Sequence, residues 1–283
     1  MTPGYVCGHE GIGIIEKVGS DIKNFAKGDH VIVPFLVINE CFNCNRGVHG
    51  RCQRGKNFGG PALDGSQAQY FRVPLADTTL YHNPKDAKLG ELAILMTDIF
   101  PTGLRFCCTV LHYLRNSAME YKPVRVFAID SIPGRLEAAK ELGCIPLNFK
   151  QTDVVQAIKE ATDNNGVHAV IEGVGLTPAL KTAYDIVCPG GKISSFGVHN
   201  GELPFSVADC YNKNVHMQFG RCPLRAVFAE ALACLIRNRE LIEKMKFIDL
   251  TLPQLDDSFE EALKRFERGE LNKVVFKPNG LDI

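Results

Sequence analysis

The chain has 283 residues, of which 45% are hydrophobic and 23% charged, enough for two domains with sizeable cores. Its 32 basic and 32 acidic residues balance, and no local run of Lys or Arg disturbs the balance, which argues against nucleic acid and acidic membranes as partners. No apolar run has the length of a membrane helix, and the opening "MTPGYVCGHE" lacks both a charged n-region and an apolar h-region, so the expectation is a cytoplasmic chain with no membrane partner.

Residues 1–85 read as β-rich, with "GIGIIEKVG", "DHVIVPFLVI" and "AQYFRVPLA" as short apolar or alternating runs between Gly, Asp and Asn turns. From about residue 98 to 220, strand-like runs ("VRVFAID", "HAVIEGVG", "GKISSFGV") alternate with helical ones ("IPGRLEAAKELG", "DVVQAIKEATDNNG", "TPALKTAYDIVCPGG"). This alternation predicts parallel βαβ units. The segments "RAVFAEALACLIRNREL" and "SFEEALKRFERGELN" read as helices, and "KVVFKP" closes the chain as a strand.

Eleven cysteines is an odd number, and without a secretion signal thiols or metal ligands are expected rather than a disulfide framework. Cys41 and Cys44 stand in C-x2-C spacing and Cys52 follows after seven residues, so three thiolates can surround a tetrahedral zinc on one compact loop. The alternative is a loop of free cysteines. Three ligands are one short of a closed site, and His49, inside the loop, is a candidate for the fourth, whereas Ile38 is not. "CGHEGIG" contains G-x-G at Gly11 and Gly13, but Glu16 occupies the third glycine position and a strand follows, so it fails as a nucleotide loop. In the same segment His9 is able to ligate a divalent metal with Glu10 as neighbouring acid, unless the pair is only a surface dipeptide.

"GHEGIGIIEKVG", "GDHVIVPF", "CFNCNRGVHGRC", "DGSQAQYFRVP" and "MTDIFPTG" occur in an order, from about residue 3 to residue 277, that resembles the zinc-dependent medium-chain alcohol dehydrogenase family, in its formaldehyde- and polyol-dehydrogenase-like branch. The resemblance implies an α/β protein: a GroES-like β-rich catalytic domain (1–97 and 226–283) and a Rossmann-type parallel-sheet domain (98–225). It implies that His9 and Asp98 are catalytic zinc ligands, that Glu10 is their neighbouring acid, and that Cys41, Cys44 and Cys52 are the last three of four structural-zinc cysteines. Ile38 stands where the first of those four belongs, and the family's first catalytic ligand, a Cys well before the Gly-His-Glu motif, has no counterpart here. Cys7 shares an extended-strand face with His9 without aligning to that ligand.

A second departure lies in the cofactor domain. The segment "VRVFAID" ends in Asp130, an acid placed to accept hydrogen bonds from an adenosine ribose and to favour NAD over NADP, although Arg135 argues the other way. The phosphate-binding glycine turn belongs about 20 residues earlier, inside a strand–loop–helix unit of about 30 residues. Only residues 104–123 are available, and "LRFCCTVLHYLRNSAMEYKP" contains no glycine. The first strand and glycine loop are therefore expected to be missing, with "FCCTVL" either a replacement strand or a buried helix. Gly173, Gly175 and Gly197 lie at strand ends, as turn residues or as cofactor contacts, and Arg221 in "GRCPLR" is a further cofactor candidate.

The resulting expectation is zinc-dependent, NAD-linked oxidation of a small alcohol or aldehyde hydrate, with NAD held weakly or not at all and homo-oligomer formation left open. One alternative is a non-catalytic zinc-binding remnant of such an enzyme. Another is a zinc-free quinone-reductase-like protein, which the spaced cysteines disfavour. The chain reads as a truncated, internally shortened relative of the family, or else as a small divergent branch that folds differently.

Overall fold

The computed structural model describes residues 4–116, 125–248, 250–252 and 257–278. The chain forms two compact units, Met1–Gly103 with Cys222–Ile283, and Leu104–Arg221.

In the first unit, β1 (Gly11–Ile14) pairs antiparallel with β2 (His30–Val33), which also pairs with β5 (Tyr81–His82) in the order β1-β2-β5. The run of residues 31–33 is uniformly apolar because this part of β2 is covered on both faces: Val31 and Val33 pack with Phe25, Phe58 and Leu80, and Ile32 between them is fully buried. Two-residue strands β3 (Leu36–Val37) and β4 (Lys56–Asn57) pair antiparallel and close the base of an excursion that carries the short helix α1 (Phe42–Asn45). The chain then continues through α2 (Ala76–Thr79) and a buried 3₁₀ stretch, Gly90–Thr97.

The expected strand in "AQYFRVPLA" does not form. Phe71 and Val73 do pack on the β2 core, which explains their alternation, but residues 68–75 join no ladder. The preceding backbone is instead tied to the His9 segment, with Ser66 N–H donating to Gly8 C=O (3.0 Å) and Gln67 N–H to Cys7 C=O (3.0 Å). Leu75 then turns the chain with φ of 52° before α2. Alternation thus reported burial correctly and pairing incorrectly.

Helix α3 (Ile99–Asn116) follows, and it decides the reading of "FCCTVL" in favour of a helix. Phe106 and Val110, one turn apart, are both buried, and the Phe106 ring lies 4.9 Å from that of Phe196. The second unit continues with β6 (Phe127–Asp130), α4 (Pro133–Glu141), β7 (Ile145–Asn148), α5 (Val154–Ala161), β8 (Val167–Glu172), α6 (Thr177–Ile186), β9 (Val187–Ser195), α7 (Val207–Lys213) and β10 (His216–Phe219). Pro133 opens α4 with φ already set for a helix, and Asp153 caps α5 by accepting from Gln156 N–H.

All pairings in this unit are parallel, as the βαβ alternation requires, yet they form two sheets: β6-β7 and β8-β9-β10. Among the described residues no strand lies on the other edge of β6 or of β8. The two sheets share one apolar cluster in which Val154, Ile158 and Ile186 pack with Phe127, Ile129, Leu147 and Val170. This is a Rossmann-type arrangement in which, among the described residues, the central pairing is interrupted. Residues 117–123, the rest of the glycine-free segment, lie outside the described residues.

Two strands escape the sequence reading. β7 contains Pro146, tolerated because the strand lies at a sheet edge, and β10 follows a helix defined by a capping box between Ser206 and Asp209. "VCPGG", read as the end of a helix, is instead the start of β9. The chain returns to the first unit through α8 (Leu224–Arg237), α9 (Arg239–Lys244), β11 (Leu250–Leu252), α10 (Asp257–Glu267) and β12 (Val274–Phe276), with β11 and β12 paired in parallel. Phe228 of α8 stacks on Tyr81 with ring centroids 3.6 Å apart. No single helix among the described residues is long and apolar enough to cross a membrane.

Candidate metal centres and cofactor residues

His9 and Asp98 are 89 positions apart in the sequence and meet in the first unit, His9 Nε2 lying 3.4 Å from Asp98 Oδ2. Their geometry has local causes. Asp98 precedes α3, where its carbonyl accepts the first helical N–H, from Thr102 (3.0 Å), and its carboxylate accepts the Thr102 hydroxyl (2.9 Å). A carboxylate at a helix N-terminus is favoured by the orphan N–H groups there. His9 is set by the 66–67 backbone described above, and Gly65 is required for it, since a β-carbon there would lie 2.1 Å from Gly8 O. Asp98 raises the His9 pKa above the usual imidazole value, against the lowering effect of burial.

Ligand atoms of His9, Glu10 and Asp98 all lie within 4.8 Å of one another. Tetrahedral zinc–nitrogen and zinc–oxygen bonds of 2.0–2.2 Å place two such donors about 3.4 Å apart, so the imidazole and carboxylate fit one zinc without rearrangement. Glu10 also forms an ion pair with Lys273, whose ammonium is largely buried. Lys273 drew no attention in the sequence, because nothing local marks a lysine 263 positions from its partner. His9, Glu10 and Lys273 line an open cavity of 1730 Å³ within this unit. Cys7 does not join the cluster.

The second cluster lies on the excursion between β3 and β4. Cys41 Sγ is 3.5 Å from Cys44 Sγ and 4.0 Å from Cys52 Sγ. The edge of a tetrahedron built on zinc–sulfur bonds of 2.3 Å is about 3.8 Å, so the three sulfurs suit the ion. The two limbs are tied together by Asn43 Nδ2 donating to Arg51 O (2.7 Å) and by the Gln53 N–H donating to Cys41 Sγ (3.4 Å). Hydrogen bonds from the Gln53 and Cys44 backbone lower the Cys41 thiol to about 6, whereas burial pushes Cys44 up to about 12. His49 does not reach the sulfurs as a fourth ligand: it is absent from the cluster, and its Nδ1 is buried without a hydrogen-bond partner.

Asp130 ends β6 with its carboxylate turned on its own backbone, accepting the N–H groups of Ser131 (2.6 Å) and Ile132 (2.9 Å), and its other oxygen is 3.6 Å from Arg135 Nη1. The glycines at the ends of β8 and β9 have a packing explanation. Gly175 has φ of 81°, and a β-carbon on Gly197 would lie 2.1 Å from Gly175 N, so the two loops pass each other at backbone contact. A β-carbon on Gly173 would meet the Phe196 ring at 2.6 Å. Arg221 is exposed at the end of the second unit. Before β6, residues 104–116 are helical, and the sequence of residues 104–123 holds no glycine to let a phosphate approach the backbone.

A third constellation was missed in the sequence. Glu172, at the end of β8 and 4% exposed, accepts the Ser195 hydroxyl (2.6 Å) and the N–H groups of Val174 and Gly175 (2.8 Å each), and lies 2.8 Å from His199 Nε2. The available signal was an acid ending an otherwise apolar strand in "HAVIEG".

A GroES-like unit and a parallel-stranded Rossmann-type unit in one chain, with a histidine–carboxylate site in the first, make up the architecture of the medium-chain dehydrogenases. Residues 1–84 match the family described as alcohol dehydrogenase GroES-like domain, and residues 117–237 the family described as zinc-binding dehydrogenase. The zinc-type alcohol dehydrogenase B of Aspergillus flavus is 40% identical, the match covering 97% of this chain and 69% of that protein. The medium chain reductase/dehydrogenase ucsI of Acremonium sp is 39% identical over 74% of this chain and 80% of its own length. Among solved structures, the alcohol dehydrogenase TADH from Thermus sp. ATN1 superposes with a TM-score of 0.80 at 28% identity, covering 97% of this chain and 84% of that one. The chain belongs to the zinc-dependent medium-chain alcohol dehydrogenase family. This favours the zinc-dependent oxidoreductase over the non-catalytic remnant; the family's cofactors are zinc and NAD(P).

Proposed function

We propose that His9 and Asp98 hold a catalytic zinc at which a small alcohol or aldehyde hydrate is oxidised with NAD as the hydride acceptor, that Cys41, Cys44 and Cys52 hold a second zinc with a structural role, and that NAD is bound weakly or not at all, so that turnover is correspondingly low or absent. The meeting of His9 and Asp98 at ligand spacing carries the first part. Bound there, zinc acts as a Lewis acid on the substrate oxygen. His9 and Asp98 orient the site, Thr102 fixes the carboxylate, and Glu10, held by Lys273, supplies a nearby negative charge that tunes the electrostatics of the zinc position. Asp130 remains as a ribose acceptor without a phosphate cradle beside it.

The relatives named as alcohol dehydrogenases support the substrate class. Internal shortening is supported by the match to the Aspergillus flavus protein, which runs over 299 aligned positions although this chain has 283 residues, so that relative carries residues with no counterpart here. None of the eleven cysteines pairs in a disulfide, which supports a cytoplasmic setting.

Replacing Asp98 by Asn tests the catalytic site. The variant is expected to lose the metal that is not bound through sulfur, and any alcohol turnover is expected to fall by about 100-fold or more, since even outer-shell changes at metal sites cost 10–100-fold. Unchanged metal content and turnover, measured by elemental analysis and coupled assay, would remove Asp98 from the site.

A further inference from the structure

The cysteine centre has three protein donors, and the residues around it show how its fourth position must be filled. Ile38, one C-x2-C stride before Cys41, is fully buried and apolar, its N–H donating to Thr79 Oγ1 (3.2 Å) and its carbonyl accepting the Thr78 hydroxyl (2.5 Å). His49 does not reach the sulfurs, and no other His, Cys, Asp or Glu among the described residues joins them. The loop is nonetheless built: the β3–β4 pairing closes its base, α1 fixes Cys41 and Cys44 one helical turn apart, and Asn43 ties in the limb that carries Cys52. Zinc in a structural protein site takes four donors. Three pre-positioned sulfurs without a fourth side chain among the described residues leave one coordination position open.

We propose that Cys41, Cys44 and Cys52 form a tri-thiolate metal centre whose fourth ligand is exogenous, solvent in the simplest case, and replaceable by a small thiolate. The proposal rests on the reading of these cysteines as a metal site and adds that the site is open and exchangeable. Charge supports the preference for a soft anion. Three thiolates on a divalent ion leave a net charge of minus one, and the loop of residues 38–57 carries Arg46, Arg51, Arg54 and Lys56 against Glu40 alone. A thiolate ligand adds one more negative charge to a basic loop. It also matches the preference of thiolate-rich sites for sulfur donors. Partial exposure of Cys41 and Cys52, with Cys44 buried beneath them, leaves the sulfur cluster reachable from solvent.

Cobalt(II) substitution of the full chain tests this, because sulfur-to-cobalt charge-transfer bands arise only at the cysteine centre and not at the His9 and Asp98 site. Glutathione, imidazole and azide are then titrated into the cobalt protein. The expected result is a shift of the sulfur-to-cobalt charge-transfer bands with each, largest and saturable for glutathione. Ile38→Cys, which supplies a fourth thiolate, is expected to abolish the response and to slow zinc extraction by a chelator at least about tenfold, since a direct ligand should count for no less than an outer-shell partner. If that variant does not fold, His49→Ala serves instead and should leave the response intact. Charge-transfer bands that ignore all three ligands would show a closed site and overturn the inference while leaving the metal reading in place. Absence of charge-transfer bands would overturn both.

Discussion

Titration of the purified chain with NADH is expected to show no saturable binding in the micromolar range. In a dinucleotide fold the pyrophosphate rests on backbone N–H groups at a helix N-terminus reached through a glycine turn, where oriented dipoles and close approach act together. Here residues 104–116 are helix α3, and residues 104–123 contain no glycine. Losing two charge-assisted hydrogen bonds of about 1.5–3 kcal/mol each removes about 3–6 kcal/mol, which is roughly 100- to 10,000-fold in affinity. Asp130 does not compensate, because it addresses a sugar, and part of its carboxylate is already committed to Ser131 and Ile132. NADH fluorescence enhancement checks the point. Micromolar saturation abolished by Asp130→Ala would show that another segment has taken over phosphate binding.

The second large effect concerns Glu172. Burial pushes its pKa up, but the hydrogen bonds from Ser195, the Gly175 N–H, His199 and the Val174 N–H overcome this and hold it below the usual glutamate value. A carboxylate depressed on folding contributes stability that is present above its unfolded pKa and lost as pH falls through the lower, folded one. Glu172→Gln removes the charge and points an amide NH₂ at groups that already donate. The expected cost at neutral pH is about 2–4 kcal/mol, as for breaking a buried, charge-assisted network. The gap between the two proteins should narrow as pH falls below the ordinary glutamate range, because the native chain loses the contribution that the variant never had. Thermal melts from pH 7 down to about pH 3, spanning the usual glutamate pKa, measure this, and parallel pH dependence of the two proteins would show that Glu172 is not ionised in the folded state.

The parts of the fold that were legible in the sequence were those written in local period or in motif order. The βαβ alternation, the helices at 133–141 and 154–161, and the closing strand each carry their own cap, proline or apolar run. The convergence of Cys41, Cys44 and Cys52 was legible because the three cysteines are close in sequence. His9 with Asp98 was reached only through family resemblance, since no local pattern joins residues 89 positions apart. Lys273 and the Glu172–Ser195–His199 group were invisible for the same reason, each being assembled by strand ends and chain returns. The strand expected in "AQYFRVPLA" failed because alternating burial does not guarantee a partner strand.

The divided sheet of the second unit relocates the most durable part of its backbone. In an unbroken parallel sheet the middle strands, hydrogen-bonded on both sides, exchange their amide protons slowest, often only through global opening. Here β6 and β8 each have one strand neighbour among the described residues, and β9 is the strand flanked on both sides, by β8 and β10. Ile193, Ser194 and Ser195 in its second half are also almost fully buried. Amide protons of β9 should therefore outlast those of β6 and β8, so that the last structure to open lies away from the break, under the strand that ends at Ser195 beside Glu172.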